Sequence, residues 1–425
     1  MPLDPVETLQ RLIRTPSVNP MGRESSAAGL GESRLTLLLQ SICEEHHWPS
    51  LRQPVHPDRD NLLIRFEGSP GPDAGGELIL WDVHQDTVAV DGMTIDPFEG
   101  ELRDGRVYGR GASDVKGSMA AMLAALSRLA EAKEPSSGPS LKGRGDVERR
   151  PTIVLACTVN EEYGFSGAKA IPQLWPATAL AVAKTKSEKA ALERFLPRPP
   201  DAAIVAEPTN LNVVVAHQGV VRWRCHTIGH AAHTSRPDEG ENAIYAMSRV
   251  VQSIEKYHRN LTANGPQHPL CGRPSVCVST IQGGVGINTV PERATIEIDR
   301  RLSPAERPEV AYNELVDYIA AHGDLGRCRI QHDAPFMQSV GLSDAENAPI
   351  AERLAEIVRG ADQASDLIGV PFGTDAAAIA ASGVPTIVFG PGSIAQAHTA
   401  DEFIEVEELE FATEIFFRIA RDGLR

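Results

Sequence analysis

No run of apolar residues in this chain approaches the roughly 20 that a membrane helix requires, which argues against a spanning helix. The opening residues 1–14 are polar and acidic and lack the basic-then-apolar order of a secretory leader, so cytoplasmic residence is the expectation. Cysteine is sparse. The six, Cys43, Cys157, Cys225, Cys271, Cys277 and Cys328, show no paired short spacing of the zinc-ribbon kind, and reduced structural thiols are expected. Positive charge is in deficit: the net charge of -16 argues against nucleic acid and anionic membranes as partners. No motif supports sugar binding or nucleic-acid binding.

What is present suits a soluble, ordinarily packed protein. A hydrophobic content of 42% can bury a sizeable core, and 425 residues exceed the usual single-domain length, so two domains are expected. Through the first 210 residues helix and strand patterns alternate: helices near 6–14, 34–46 and 117–132, strands near 61–66 and 77–82. That alternation reads as an α/β sheet covered by helices. The stretch 131–150, rich in Ser, Gly, Pro and charge, reads as a surface loop, and 177–200 as a helix plus linker. From about residue 212 the order becomes strand, helix, strand, strand, helix, strand, with helices at 241–259 and 308–322 and strands near 276–282, 294–302 and 327–332. This is a ferredoxin-like split unit inserted into the larger sheet. The expected boundaries are 1–211 and 336–425 for the first domain and 212–335 for the insert.

The chemistry is concentrated where apolar runs end. Glu161 and Glu162 follow the run 152–159, and an adjacent pair at a strand end can supply one metal ligand and one base for a metal-activated water. Upstream, His84-Gln85-Asp86 follows the run 77–81. A histidine ligand usually has its second ring nitrogen held by a carboxylate, and Asp86 is two residues away. Asp114 lies in a glycine-rich turn, Tyr108-Gly109-Arg110-Gly111-Ala112-Ser113-Asp114, leading into an alanine-rich helix; a carboxylate there can bridge two cations roughly 3.5 to 4 Å apart. Glu207 follows the run 202–206, and His398 follows the strand-like 386–389. A single histidine or glutamate of this kind is more often structural than a ligand. Five such motifs in order point to a site.

That order resembles the di-zinc M20 family of amidohydrolases and peptidases over nearly the whole chain, from Arg14-Thr15-Pro16-Ser17-Val18-Asn19-Pro20 to Ile404-Glu405-Val406. The resemblance implies a zinc-exopeptidase type mixed α/β catalytic domain and a lid that also dimerises. It makes Asp114 the bridging ligand, with His84 and Glu207 on one metal, Glu162 and His398 on the other, and Glu161 the general acid/base. The peptide after the family's aspartate is commonly cis, which points to Asp114-Val115. Two divalent cations per subunit are implied, zinc first, with cobalt or manganese fitting the same oxygen and nitrogen shell. Val83 and Asn160 stand where the family more often has glycine and aspartate.

Within the insert, Gly229-His230-Ala231-Ala232-His233-Thr234-Ser235 resembles a motif whose second histidine reaches the neighbouring subunit's site, making His233 the oxyanion donor. His226 and His230 lie close in sequence and could take that role instead. Asn288 and Arg301 would hold a substrate carboxylate, although Arg300 could be the inward-pointing residue and Asn288 could cap a turn. Gly373, Thr374 and Asp375 resemble a loop that meets the substrate backbone. His217-Gln218-Gly219 reads as a hairpin feature, and Asp401 and Glu402 as helix-start or loop carboxylates. The implied activity is hydrolysis of the amide of an N-acyl amino acid, of deacetylase or desuccinylase type, by a homodimer. A dipeptidase or carboxypeptidase is the alternative, and a non-catalytic binding protein on the same fold is a more distant one.

Overall fold

The computed structural model describes residues 1–21, 30–131, 149–175 and 194–425. The expected loop at 131–150 and the helix with linker at 177–200 fall largely outside these residues. The chain forms two compact units: Met1–Val215 with Asp344–Ile368 and Thr374–Arg425, and Ala216–Ser343 with Gly369–Gly373.

The first unit is built on a mixed sheet whose strands run, in spatial order, Ser50–His56, Arg59–Phe66, Thr152–Thr158, Leu78–His84, Ala202–Val205, Thr386–Val388, Val213–His217 and Leu367–Val370. Leu78–His84 pairs in parallel with Thr152–Thr158 on one side and Ala202–Val205 on the other, and Thr386–Val388 continues the parallel set. Every residue of Leu78–His84 and Thr152–Thr158 is buried, which is why these strands read as unbroken apolar runs. Helices supply the covering layers: Trp81 packs against Phe416 of the Val406–Asp422 helix with ring centroids 5.1 Å apart. The Ser50–His56 strand was not anticipated. It carries Pro54, which a strand tolerates at a sheet edge, and the register shifts between Pro54 and His56.

Because the four neighbouring strands Thr152–Thr158, Leu78–His84, Ala202–Val205 and Thr386–Val388 are parallel, their carboxyl ends lie along one edge of the sheet. His84, Glu161, Glu162 and Glu207 sit at or just beyond those ends, and His398 follows Thr386–Val388 by ten residues. Loops at the carboxyl ends of parallel strands are where α/β sheets place their ligands.

The second unit has the strands Gly219–Ile228, Ser275–Gly283, Arg293–Leu302 and Arg329–His332 with the helices Ala243–Asn264 and Pro308–His322 between them. The fourth strand lies beside the first, and the third separates the first from the second, which is the ferredoxin-like antiparallel order. Trp223, Met247, Val250, Ile296, Ile298, Leu315 and Ile319 are among its core residues. The chain leaves this unit after Ser343 rather than near Phe336, because Met337–Ser339 pairs with Val220–Arg222 of the first strand and extends the same sheet. No disulfide joins any of the six cysteines. Among the described residues no helix is long and apolar enough to cross a membrane.

Candidate metal centre

Asp114 stands between two histidines. His84 Nε2 lies 3.1 Å from its Oδ1 and His398 Nε2 lies 3.3 Å from its Oδ2. His398 Nε2 is also 3.3 Å from Glu162 Oε2. Donor atoms of His84, Asp114 and Glu207 all fall within 4.8 Å of one another, and so do those of Asp114, Glu162 and His398. Two sets therefore share one carboxylate. The turn bearing it, Ala112–Lys116, is kinked at Asp114 and Val115, and the peptide between them is cis.

Glu161 belongs to neither set, yet it is buried beside them. Burial, then the nearby charge of Glu207, raises its pKa well above the usual carboxylate range. Burial and Asp114 push Glu162 up to about 7, and burial and Asp114 raise Glu207 well above its usual value. Burial also works against charge on Asp114, but hydrogen bonds from His398 and His84 outweigh it and hold that carboxyl below its ordinary range. His398, bonded to Asp114 and Glu162, is raised to about 10. Burial opposes charge on His84 too, and the Asp114 hydrogen bond with the charges of Glu161, Asp114 and Asp86 raises it regardless. The cluster thus concentrates buried carboxylates that resist ionisation without a counter-charge, and Glu162 Oε1 is buried with no hydrogen-bond partner among the described residues. An oxygen and nitrogen donor set with this electrostatic deficit fits divalent cations of the zinc, cobalt or manganese kind.

One expected contact is corrected. The main-chain carbonyl of Asp86 accepts the Nδ1 proton of His84 at 2.9 Å, while its carboxylate stays 3.8 Å from that nitrogen. The carboxylate is engaged elsewhere: Oδ1 accepts the Glu161 N–H at 3.1 Å, and Oδ2 accepts the Glu162 N–H at 3.0 Å and Asn19 Nδ2 at 2.7 Å. The histidine still has its tautomer set, with Nε2 turned to Asp114. Sequence reading also missed the layer behind the glutamates. Asn160, in a left-handed conformation at φ 67°, accepts from Asn19 and Arg59 at 3.1 Å each and donates its own N–H to Glu32 at 3.1 Å. Glu32 in turn takes both arms of the Arg59 fork. The available signals were Asn19 in the Arg14-to-Pro20 motif and Asn160 in place of the family's more usual aspartate.

The remaining expected site residues are dispersed. Thr374 is buried, and its hydroxyl accepts the Ala376 N–H at 3.1 Å where the Ala376–Ala380 helix begins, while Gly373 falls in the second unit. Asp375, the third residue of that loop, accepts from Thr158 Oγ1 at 3.2 Å and is raised to about 7 by burial. His233 is exposed in the second unit. Its Nδ1 accepts the Ser235 N–H at 3.2 Å, which leaves Nε2 to carry the proton of the neutral ring. His226, by contrast, is buried and held between Thr295 and Asp333, and is thereby engaged within its own sheet. Arg300 is fully buried and pairs with Glu306, so Arg301 lies on the opposite face, where Asp299 holds it at 2.9 Å. Asn288 is exposed, and its carbonyl accepts the Thr234 N–H.

Comparison with known proteins matches this geometry. The description "Peptidase family M20/M25/M40" fits residues 80–422. A protein named acetylornithine deacetylase from Myxococcus xanthus is 29% identical over 82% of this chain and 80% of its own length. A protein of the same name from Edwardsiella ictaluri is 27% identical over 93% of this chain and 91% of its own. Among solved structures, an M20 family metallo-carboxypeptidase from Sulfolobus solfataricus superposes with a TM-score of 0.73 at 16% identity, covering 99% of both chains, and so shares the fold. Through a family match spanning most of its length, this chain belongs to peptidase family M20/M25/M40.

Proposed function

We propose that this chain is a two-metal hydrolase that cleaves the amide bond of an N-acyl amino acid. The observation that carries the reading is the placement of Asp114 between two ligand sets, with Glu161 buried alongside but outside both. His84, Asp114 and Glu207 would hold one cation, and Asp114, Glu162 and His398 the other. Two divalent cations bound there would polarise the scissile carbonyl and acidify the attacking water.

Glu161 acts as the general base and acid. Its carboxylate takes a proton from water as the water oxygen bonds to the acyl carbon, and it returns that proton to the amine nitrogen as the C–N bond breaks. A raised proton affinity suits the second half of that cycle. Asp86 fixes the main chain of Glu161 and Glu162, so the base and its neighbouring ligand move together. His233 Nε2–H is assigned to the developing oxyanion, contributed in a homodimer by the neighbouring subunit. Asn288 and Arg301 are assigned to the substrate carboxylate, with Arg301 released from Asp299 when the substrate binds. Thr374 meets the substrate backbone only through what its bond from the Ala376 N–H leaves over.

The relatives named acetylornithine deacetylase favour an N-acetyl amino acid as substrate, and the neighbour named metallo-carboxypeptidase supports peptide cleavage as the second reading. The base and all five expected ligands are present, which weighs against a binding protein that has lost catalysis. The test is amine release from a panel of N-acetyl and N-succinyl amino acids and dipeptides, using protein stripped of metal and reloaded with zinc. Turnover of N-acetyl amino acids in preference to dipeptides is expected; preference for dipeptides would transfer the assignment to the peptidase reading.

A further inference from the structure

We infer that Glu402 is a positioning residue that fixes the spacing between Asp114 and His398, and so controls one cation position of the pair more than the other. The inference rests on the two-metal reading. Glu402 is fully buried, and its carboxylate is saturated by the turn that carries Asp114. Oε1 accepts the N–H groups of Ser113 at 2.9 Å and Asp114 at 3.0 Å; Oε2 accepts the Gly111 N–H at 3.0 Å and Arg110 Nη1 at 2.7 Å. The turn can close around the carboxylate because Gly111 adopts φ 84°, where a Cβ would also meet Thr87 at 2.9 Å.

Glu402 lies four residues after His398. The strand that follows it, Phe403–Glu405, pairs with Arg106–Tyr108, just before the Asp114 turn. On the other flank of His398, Ser393 exchanges hydrogen bonds with the Ser113 hydroxyl at 3.0 and 3.2 Å. Both sides of the His398 loop are therefore stitched to residues 111–114, and Glu402 supplies most of the stitches. His84 and Glu207 have a different support, since they end or follow strands in the middle of the sheet. Loss of Glu402 should consequently disturb the Asp114, Glu162 and His398 set more than the His84, Asp114 and Glu207 set.

The test counts metal instead of activity. Metal-stripped wild type and Glu402→Gln are titrated with zinc against a chromophoric chelator, with circular dichroism and a melting curve to establish folding. Wild type is expected to take up two ions. Glu402→Gln should take up one ion at near wild-type affinity and a second weakened about 10- to 100-fold, the range typical for residues that orient ligands. Two ions bound at wild-type affinity, or two weakened equally, would overturn the inference. Fewer than two ions on the wild type would overturn the two-metal reading itself. Should Glu402→Gln not fold, Glu402→Asp decides: it keeps the charge but draws the carboxylate back by one methylene, and an undisturbed second ion in that variant likewise overturns the assignment.

Discussion

The carboxylate of Asp86 holds the main-chain N–H of Glu161 at 3.1 Å and does not clamp His84, whose Nδ1 it leaves to its own carbonyl. It is therefore tied to the main chain of Glu161 and of the neighbouring Glu162, and not to the His84 ring. Asp86→Asn would turn an amide nitrogen toward N–H groups that need an acceptor. The expected result is a kcat lowered about 10- to 100-fold, comparable with the loss of other residues that orient a metal site, with both ions retained. Steady-state kinetics together with metal analysis check this; loss of the ion held by His84 would show that the carboxylate matters mainly to the histidine.

His233 is exposed with its Nε2 proton directed away from the Ser235 contact. Removing a single oxyanion donor typically costs about 2.7 to 4 kcal/mol, so His233→Ala should slow turnover several hundred-fold and leave metal content unchanged. Mixing Glu161→Ala and His233→Ala subunits under exchange conditions should restore part of the activity, because one site in each heterodimer has both groups intact. No recovery would mean that His233 does not act across subunits.

The metal-free protein should lose stability as pH rises. Glu162, held up at about 7, keeps its proton in the fold over a range where an unfolded glutamate, near 4.5, has already lost it. Stability present below the unfolded pKa is thus lost as pH climbs through about 7. His398, raised to about 10, has the same sign and extends the loss above pH 7. Asp114 has the opposite sign, but its window lies below the unfolded value of 3.8. Melting curves of stripped protein should fall from pH 5 to pH 8, and the gain on adding zinc should grow over the same interval, reaching about 2.7 kcal/mol at a hundredfold excess over Kd. A zinc-induced gain that shrinks with pH would contradict the cluster's electrostatics.

His217 titrates independently of the metal centre. It is fully buried, donates Nδ1–H to the Gln218 carbonyl at 2.9 Å, leaves Nε2 without a hydrogen-bond partner among the described residues, and burial lowers its pKa to about 4. A depressed folded value means stability that is complete above the unfolded pKa near 6.5 and lost as pH falls toward 4, about 3 kcal/mol in all. Urea unfolding at pH 7 and pH 4.5 should show a smaller drop in His217→Gln than in wild type. Equal drops would place the charge-sensitive group elsewhere.

How much of this was legible in the sequence follows from where each residue sits. The convergence of His84, Glu162 and Glu207 was readable because parallel strands buried on both faces appear as apolar runs, and each run stops at the same edge of the sheet. The ferredoxin-like insert was readable from its alternation of strands and helices, and its return point was not, because Met337–Ser339 adds a short strand to the first strand of the insert. Glu32 and Arg59 were invisible: they meet Asn160 across more than a hundred residues of chain, and nothing local marks a polar side chain that will be buried in a network. Glu402 was read as a loop carboxylate, since only the closed turn reveals how many N–H groups surround it.

If Glu161 moves protons while its neighbours hold metal, Glu161→Gln measured for bound zinc and for amine release in the same preparation separates the two roles. Two ions bound as in wild type and turnover reduced by about 10² to 10⁴, the usual contribution of a general acid/base, are expected. A variant that loses an ion, or one that keeps both and still turns over near the wild-type rate, would contradict this assignment.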